Sequence, residues 1–242
     1  MIKVYAIIGK GYGDEGKGLA VDHFCRGADA PLVIRHNGGA QSGHTVEEGE
    51  KRFVFHQLSS GSFRGADTFW AETFYPDLYK LQDEIDAFRL AGGRDVRIFC
   101  DCRTPVVLID DVLVNMALET ARGNKRHGSC GMGIYEADLR TKAGFGVCAA
   151  DFLSGSAEEL VRRLSRIRRE YLPLRLEEAG LPQRPTICTT RISRKCGNWP
   201  ATAIKMTASS AISAVNTSWS WAWNIWLNAW KKPINWTIPS SS

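Results

Sequence analysis

The chain has 242 residues, 44% of them apolar, enough for one substantial core and one or two domains. Its formal net charge is +5, but the last acidic residue is Glu178 and the acid-free remainder supplies most of the excess, so no basic nucleic-acid face is implied. No stretch is long and apolar enough to cross a membrane, the start reads as a strand and not a leader, and seven cysteines without a C-x-x-C pair fit reduced thiols in a cytoplasmic protein.

Residues 4–8, Val-Tyr-Ala-Ile-Ile, read as a buried β-strand. It feeds Gly11-Tyr-Gly-Asp-Glu-Gly-Lys-Gly18, a glycine-rich turn with the makings of a phosphate cradle: backbone N–H groups converge on an anion and Lys17 adds a positive charge. Gly11, Gly16 and Lys17 fit G-x-x-x-x-G-K, yet Gly18 stands where a hydroxyl should hold Mg²⁺, and Asp14 and Glu15 lie inside the loop. A carboxylate there repels phosphate unless it binds a metal or acts on a substrate. The plain alternative is a tight turn capping a helix.

Further strands are expected at 32–34, 53–55, 96–99 and 106–109, giving an α/β alternation up to about Glu178. After the strand at 32–34 comes a second glycine cluster, Asn37-Gly-Gly-Ala-Gln-Ser-Gly-His-Thr45. Its His44 is flanked by small residues at a strand end, where α/β ligand sites gather. A helix is expected from Asp110 to Arg122, with Val112, Leu113, Met116, Ala117 and Thr120 at helical spacing. The third cluster, Arg126-His-Gly-Ser-Cys-Gly-Met-Gly-Ile134, offers N–H groups and the Ser129 hydroxyl to another anion; the plain alternative is a flexible loop. Another helix is expected at 157–171, opened by a Ser156/Glu159 capping box, with an apolar face of Leu160, Val161, Leu164, Ile167 and Tyr171 and an arginine-rich face read as solvated.

From Cys196 to the end there is no Asp or Glu, and seven of the eight tryptophans lie there without helix or strand periodicity. An aromatic surface for sugars or a membrane interface is one reading. The favoured reading is a translated neighbouring frame that begins between about Thr186 and Cys196, because it explains composition, charge and lost periodicity together. The chain is therefore divided into a nucleotide-binding domain at 1–190 and an aberrant tail at 191–242.

Together the three glycine clusters resemble the adenylosuccinate synthetase family, which carries a GDEGKG loop, a GG-x-N-A-G-H-T loop and a later glycine-rich loop; here they are Gly13 to Gly18, Gly38 to Thr45 and Gly128 to Ile134. His56-Gln-Leu-Ser-Ser-Gly61 is similar to the family's H-x-x-P-S-G segment, and the resemblance covers residues 2–180. It implies a P-loop-like α/β fold with a mostly parallel central sheet, incomplete on its C-terminal side, and a cytoplasmic homodimer. The implied reaction is GTP-dependent ligation of IMP and L-aspartate, giving adenylosuccinate, GDP and phosphate, with Mg²⁺ as cofactor and GTP as co-substrate.

By the same resemblance Asp14 is the base at the purine N1 and a Mg²⁺ ligand, Gly43 lends a carbonyl to that ion, and His44 is the acid at the phosphoryl oxygen. Gly13, Glu15, Gly16, Lys17, Gly18, Gly43, His44 and Thr45 contact the GTP phosphates. Asp14, Lys17, Gln41, Ser42, Ser129, Cys130 and Arg140 contact IMP, Arg140 as a candidate for an arginine donated across the dimer. Gln41 replaces the family's Asn, Cys130 replaces a Thr, and the third loop is shorter than the family's T-T-G-R-G-I-G-P. These departures resemble a branch adjoining phage enzymes that condense aspartate with dGMP. Retention of Asp14 favours IMP, with the dGMP reaction, a catalytically dead nucleotide-binding fragment and a Trp-rich glycan- or membrane-contacting protein as alternatives.

Overall fold

A computed structural model describes residues 2–11, 13–49, 51–125, 128–153 and 156–181, the side chain of Lys125 excepted. The aberrant tail expected from 191 onward lies outside the described residues. Strands β1 (Leu32–Arg35), β4 (Asp67–Trp70) and β5 (Ile98–Cys100) form one parallel sheet in the order β1-β4-β5. Between β1 and β4 the chain inserts an antiparallel hairpin, β2 (His44–Glu48) and β3 (Lys51–Phe55), with His44 opposite Phe55. Helix α1 (Lys17–Cys25) precedes β1, and α2 (Leu78–Leu90) joins β4 to β5. A parallel connection needs such a crossover, so the expected α/β alternation with a parallel sheet is what the chain adopts.

The main core lies between the hairpin, the sheet and α2, where Val46, Phe55, Leu58, Trp70, Phe74, Leu81, Phe88 and Ile98 are buried together. Asp77 caps α2 by accepting from the Tyr79 amide at 2.9 Å. Helix α3 (Ile109–Ala121) is buried on two sides, with Val112 and Met116 against α4 (Ile134–Arg140), and Val114 against Leu176 of α7 (Leu172–Glu178). The single stripe read from the sequence thus missed Val114, while Thr120 is exposed. The short helix α5 (Ala149–Leu153) leads to α6 (Ala157–Arg166), where Ser156 accepts from the Glu159 amide at 3.1 Å as its motif implies. The helix expected to run to Tyr171 widens into a π-turn at Ile167–Tyr171 before α7. Pro173 is the physical reason, since it cannot donate to the carbonyl of Arg169 one turn back. Leu160, Leu164, Ile167 and Tyr171 pack on Leu108 and Val147, and Val161 points outward.

Two expected strands differ from the structure. Residues 4–8 lie outside every ladder, with Val4 87% and Ile8 85% exposed. A strand is held by its neighbours, and among the described residues none pairs with this run, so apolar content alone does not bury it. Residues 106–108 are buried and extended but take single partners, Val106 donating to the Val147 carbonyl and Val107 to that of Pro76, and Ile109 already belongs to α3.

Candidate phosphoryl-binding site

The first loop turns through Gly13, Asp14 and Gly16, all with positive φ, and delivers the chain into α1, whose N-cap is Gly16. Asp14 holds φ 50°, an uncommon conformation that suits a short polar side chain. Its carboxylate is exposed and makes no hydrogen bond or ion pair with another described residue. Glu15 turns inward instead: its carboxylate accepts from the Gly11 amide and lies 2.8 Å from the Lys17 ammonium. These contacts hold the Glu15 carboxyl below its ordinary range, the Lys17 hydrogen bond contributing most. A backbone amide and an ammonium are the donor types that hold a phosphoryl oxygen, so Glu15 stands in for such an anion.

The second loop leaves the carboxyl end of β1 and is pinned by the chain beyond β4: Ala40 donates to the Tyr75 carbonyl and Tyr75 to that of Gly38. A Cβ on Gly39 would lie 2.2 Å from the Tyr75 oxygen, so only glycine permits this approach. Ser42 is tied inward, its hydroxyl taking a 2.6 Å bond from Arg35 and its carbonyl facing His56 Nδ1 at 2.6 Å. Gln41, Gly43 and Thr45 are exposed.

The first two loops meet at Gly18, where a Cβ would lie 2.6 Å from the Cβ of His44. His44 is consequently half-buried, and its pKa is pushed down to about 4, first by burial and then by the charges of Arg35, Lys17 and His56. At neutral pH its ring is uncharged and can donate one hydrogen bond. Arg35 is itself buried, bonded to the Leu58 carbonyl at 2.8 Å, and lowered by burial to about 10. The third loop reaches the second where Ile134 packs on Gly39, and Ser129 donates to the Asn115 side chain at 3.2 Å. Cys130 is exposed.

Arg140 is placed differently from the expectation. Its side chain is fully buried, with Nε and Nη2 each 2.9 Å from the Asp111 carboxylate, Nη2 also on the Val106 carbonyl and Nη1 on that of Phe145. A guanidinium held in this way ties α4 to the start of α3 and has no reach across an interface. Arg35, His56 and Glu84 are site elements to which the sequence reading assigned no role. Arg35 carried a usable signal, a charged residue at a strand's carboxyl end; Glu84 sits inside α2 and carried none.

A parallel α/β domain in which one glycine-rich loop feeds helix α1 and packs on a second glycine-rich loop at the carboxyl end of β1 is of the phosphate-loop class. The family description "Adenylosuccinate synthetase" matches residues 6–181, and the chain belongs to that family. It is 32% identical to the adenylosuccinate synthetase of Neisseria gonorrhoeae over 177 residues, 71% of this chain and 39% of that protein. The Picrophilus torridus enzyme is 32% identical over 131 residues, 54% of this chain and 31% of its own length. A fully ligated adenylosuccinate synthetase from Plasmodium falciparum shares the fold, with a TM-score of 0.57 at 19% identity over 70% of this chain and 38% of that one. The chain thus spans roughly a third of the length of the relatives it matches.

Proposed function

We propose that the chain carries the phosphoryl-transfer half of a GTP-dependent ligase that joins IMP to L-aspartate through a new C–N bond. The packing of Gly18 on His44, which puts the Lys17 charge within influence of the imidazole, is the observation that carries this reading. GTP transfers its γ-phosphoryl group to the purine O6; the aspartate amine then attacks C6 and phosphate leaves. Lys17 and the loop amides stabilise charge on the moving phosphoryl group. Asp14 takes the N1 proton, which its exposure and lack of an internal partner allow. His44 donates its N–H to the phosphoryl oxygen. Gly13, the Glu15 backbone, Gly16, Gly43 and Thr45 line the GTP phosphates, and Gln41, Ser129 and Cys130 face the purine nucleotide, while Ser42, whose hydroxyl is held by Arg35, positions their loop.

Mg²⁺ fits this donor set, since it is held by one or two carboxylates together with substrate phosphates, and Asp14 is an uncommitted carboxylate within the loop. Asp14 and the Gly43 carbonyl would hold it, and when bound it neutralises phosphate charge. Among the described residues no cluster of three or more His, Cys, Asp or Glu could hold a metal ion. Two copies and a cytoplasmic setting complete the proposal. Residues 1–190 are the nucleotide-binding domain and 191–242 an aberrant tail. The test is phosphate release from GTP with IMP, Mg²⁺ and aspartate: release that stops when aspartate is omitted supports ligation, and nucleotide binding without turnover leaves a binding fragment.

A further inference from the structure

We propose that His56 is a positioning residue for the phosphoryl site, its Nδ1–H fixing the Ser42 carbonyl and so the bend that carries His44. The inference rests on the phosphoryl-site reading above and deepens it. Gly43 separates Ser42 from His44 and is exposed, so nothing in its own side chain restrains this bend. Ser42 is tied within the loop to the Gly39 carbonyl, by its amide at 3.2 Å and its hydroxyl at 3.0 Å, and a further restraint acts on its own carbonyl from outside. His56 Nδ1 lies 2.6 Å from the Ser42 carbonyl oxygen. A carbonyl can only accept, so Nδ1 carries the hydrogen of this contact.

The His56 backbone is itself anchored. Glu84, a buried carboxylate on α2, accepts from the amides of His56 at 2.7 Å, Gln57 at 2.8 Å and Leu58 at 3.1 Å. Two further ties start from the same segment. The Leu58 carbonyl holds Arg35, which holds the Ser42 hydroxyl, and the Ser60 hydroxyl donates 2.8 Å to the Gly18 carbonyl at the head of α1. Residues 56–60 therefore brace both glycine loops against one helix. His56 is the exposed member of that brace and can be replaced without opening the core.

The side-chain amide of Asn places an N–H where Nδ1–H sits; that of Gln reaches the Nε2 position. The test uses the full chain as wild type, His56→Ala, His56→Asn and His56→Gln, titrated calorimetrically with inorganic phosphate. Long-range ¹⁵N–¹H spectra of the wild type read the tautomer. The Nδ1–H tautomer is expected at His56. Phosphate affinity is expected to stay within about twofold in His56→Asn and to fall by roughly fivefold in both His56→Ala and His56→Gln, the worth of about one hydrogen bond. Thermal melts identify any unfolding. Should His56→Ala melt early, the contrast between Asn and Gln decides, because both are amides of similar bulk. Equal affinity in all four proteins, equal rescue by Gln, or an Nε2–H tautomer overturns the inference and leaves the phosphoryl site standing. A wild type that binds no phosphate overturns both.

Discussion

Burial sets the state of His44 before any ligand arrives, and Arg35 and Lys17 reinforce it. Both cations repel a proton from a ring that burial already keeps neutral, and the value of about 4 lies well below the ordinary 6.5. The folded chain therefore refuses a proton that the unfolded chain accepts below 6.5. The contribution of His44 to stability is whole above about 6.5 and is lost as the pH falls toward about 4. Its ring resonance in an NMR titration should move near pH 4; movement near 6.5 would mean the ring is solvated and far from both cations. Glu15 tests the cradle from the other side. Glu15→Gln removes the internal anion and keeps the shape, so inorganic phosphate should bind about two- to fivefold tighter by calorimetry. Weaker binding would make the Glu15 carboxylate itself a ligand contact and not a competitor. At this scale the sequence was informative wherever a motif is short and contiguous, as with Lys17, Gly18 and His44. It was silent on Glu84, whose three amide partners come from another part of the chain, because a helical glutamate looks the same whether it meets water or a backbone.

Among the elements, helices were easier to read than strands. The start of α6 was legible because Ser156 and Glu159 act within one turn. The hairpin β2/β3 was half-read: residues 53–55 carried the aromatic pattern, but His44–Glu48 is mostly polar and pairs only because Val46 is buried against the aromatic cluster. Residues 4–8 show the converse, since an apolar run specifies burial only where a partner exists. The buried Arg140–Asp111 pair joins α4 to α3 and satisfies two backbone carbonyls besides. Arg140→Ala would leave the Asp111 carboxylate uncompensated and should cost about 3–5 kcal/mol in urea denaturation. A loss below about 1 kcal/mol would show that Arg140 is not buried and would reopen its role at an interface. Ser156→Ala removes only a cap and should cost about 1 kcal/mol.

At the scale of the whole molecule, the sheet has a bare side. β1 pairs with β4 alone among the described residues, Leu32 and Ile34 are 53% and 61% exposed, and the run at 4–8 is exposed as well. An unpaired edge with apolar side chains is a template for association. Light scattering should show mass rising with concentration, and Ile34→Lys should lower it. A discrete dimer insensitive to that change would assign self-contact to another surface. The central claim is that Lys17 and His44 address one phosphoryl group. It is tested most directly by following the His44 imidazole while GTP and Mg²⁺ are titrated into the full chain. An anion between the two should offset the charges that add to burial in depressing His44, raising its pKa above about 4, and Lys17→Ala should weaken GTP binding and remove the rise. GTP that binds while the His44 titration stays near 4 would separate the two loops and contradict a shared site.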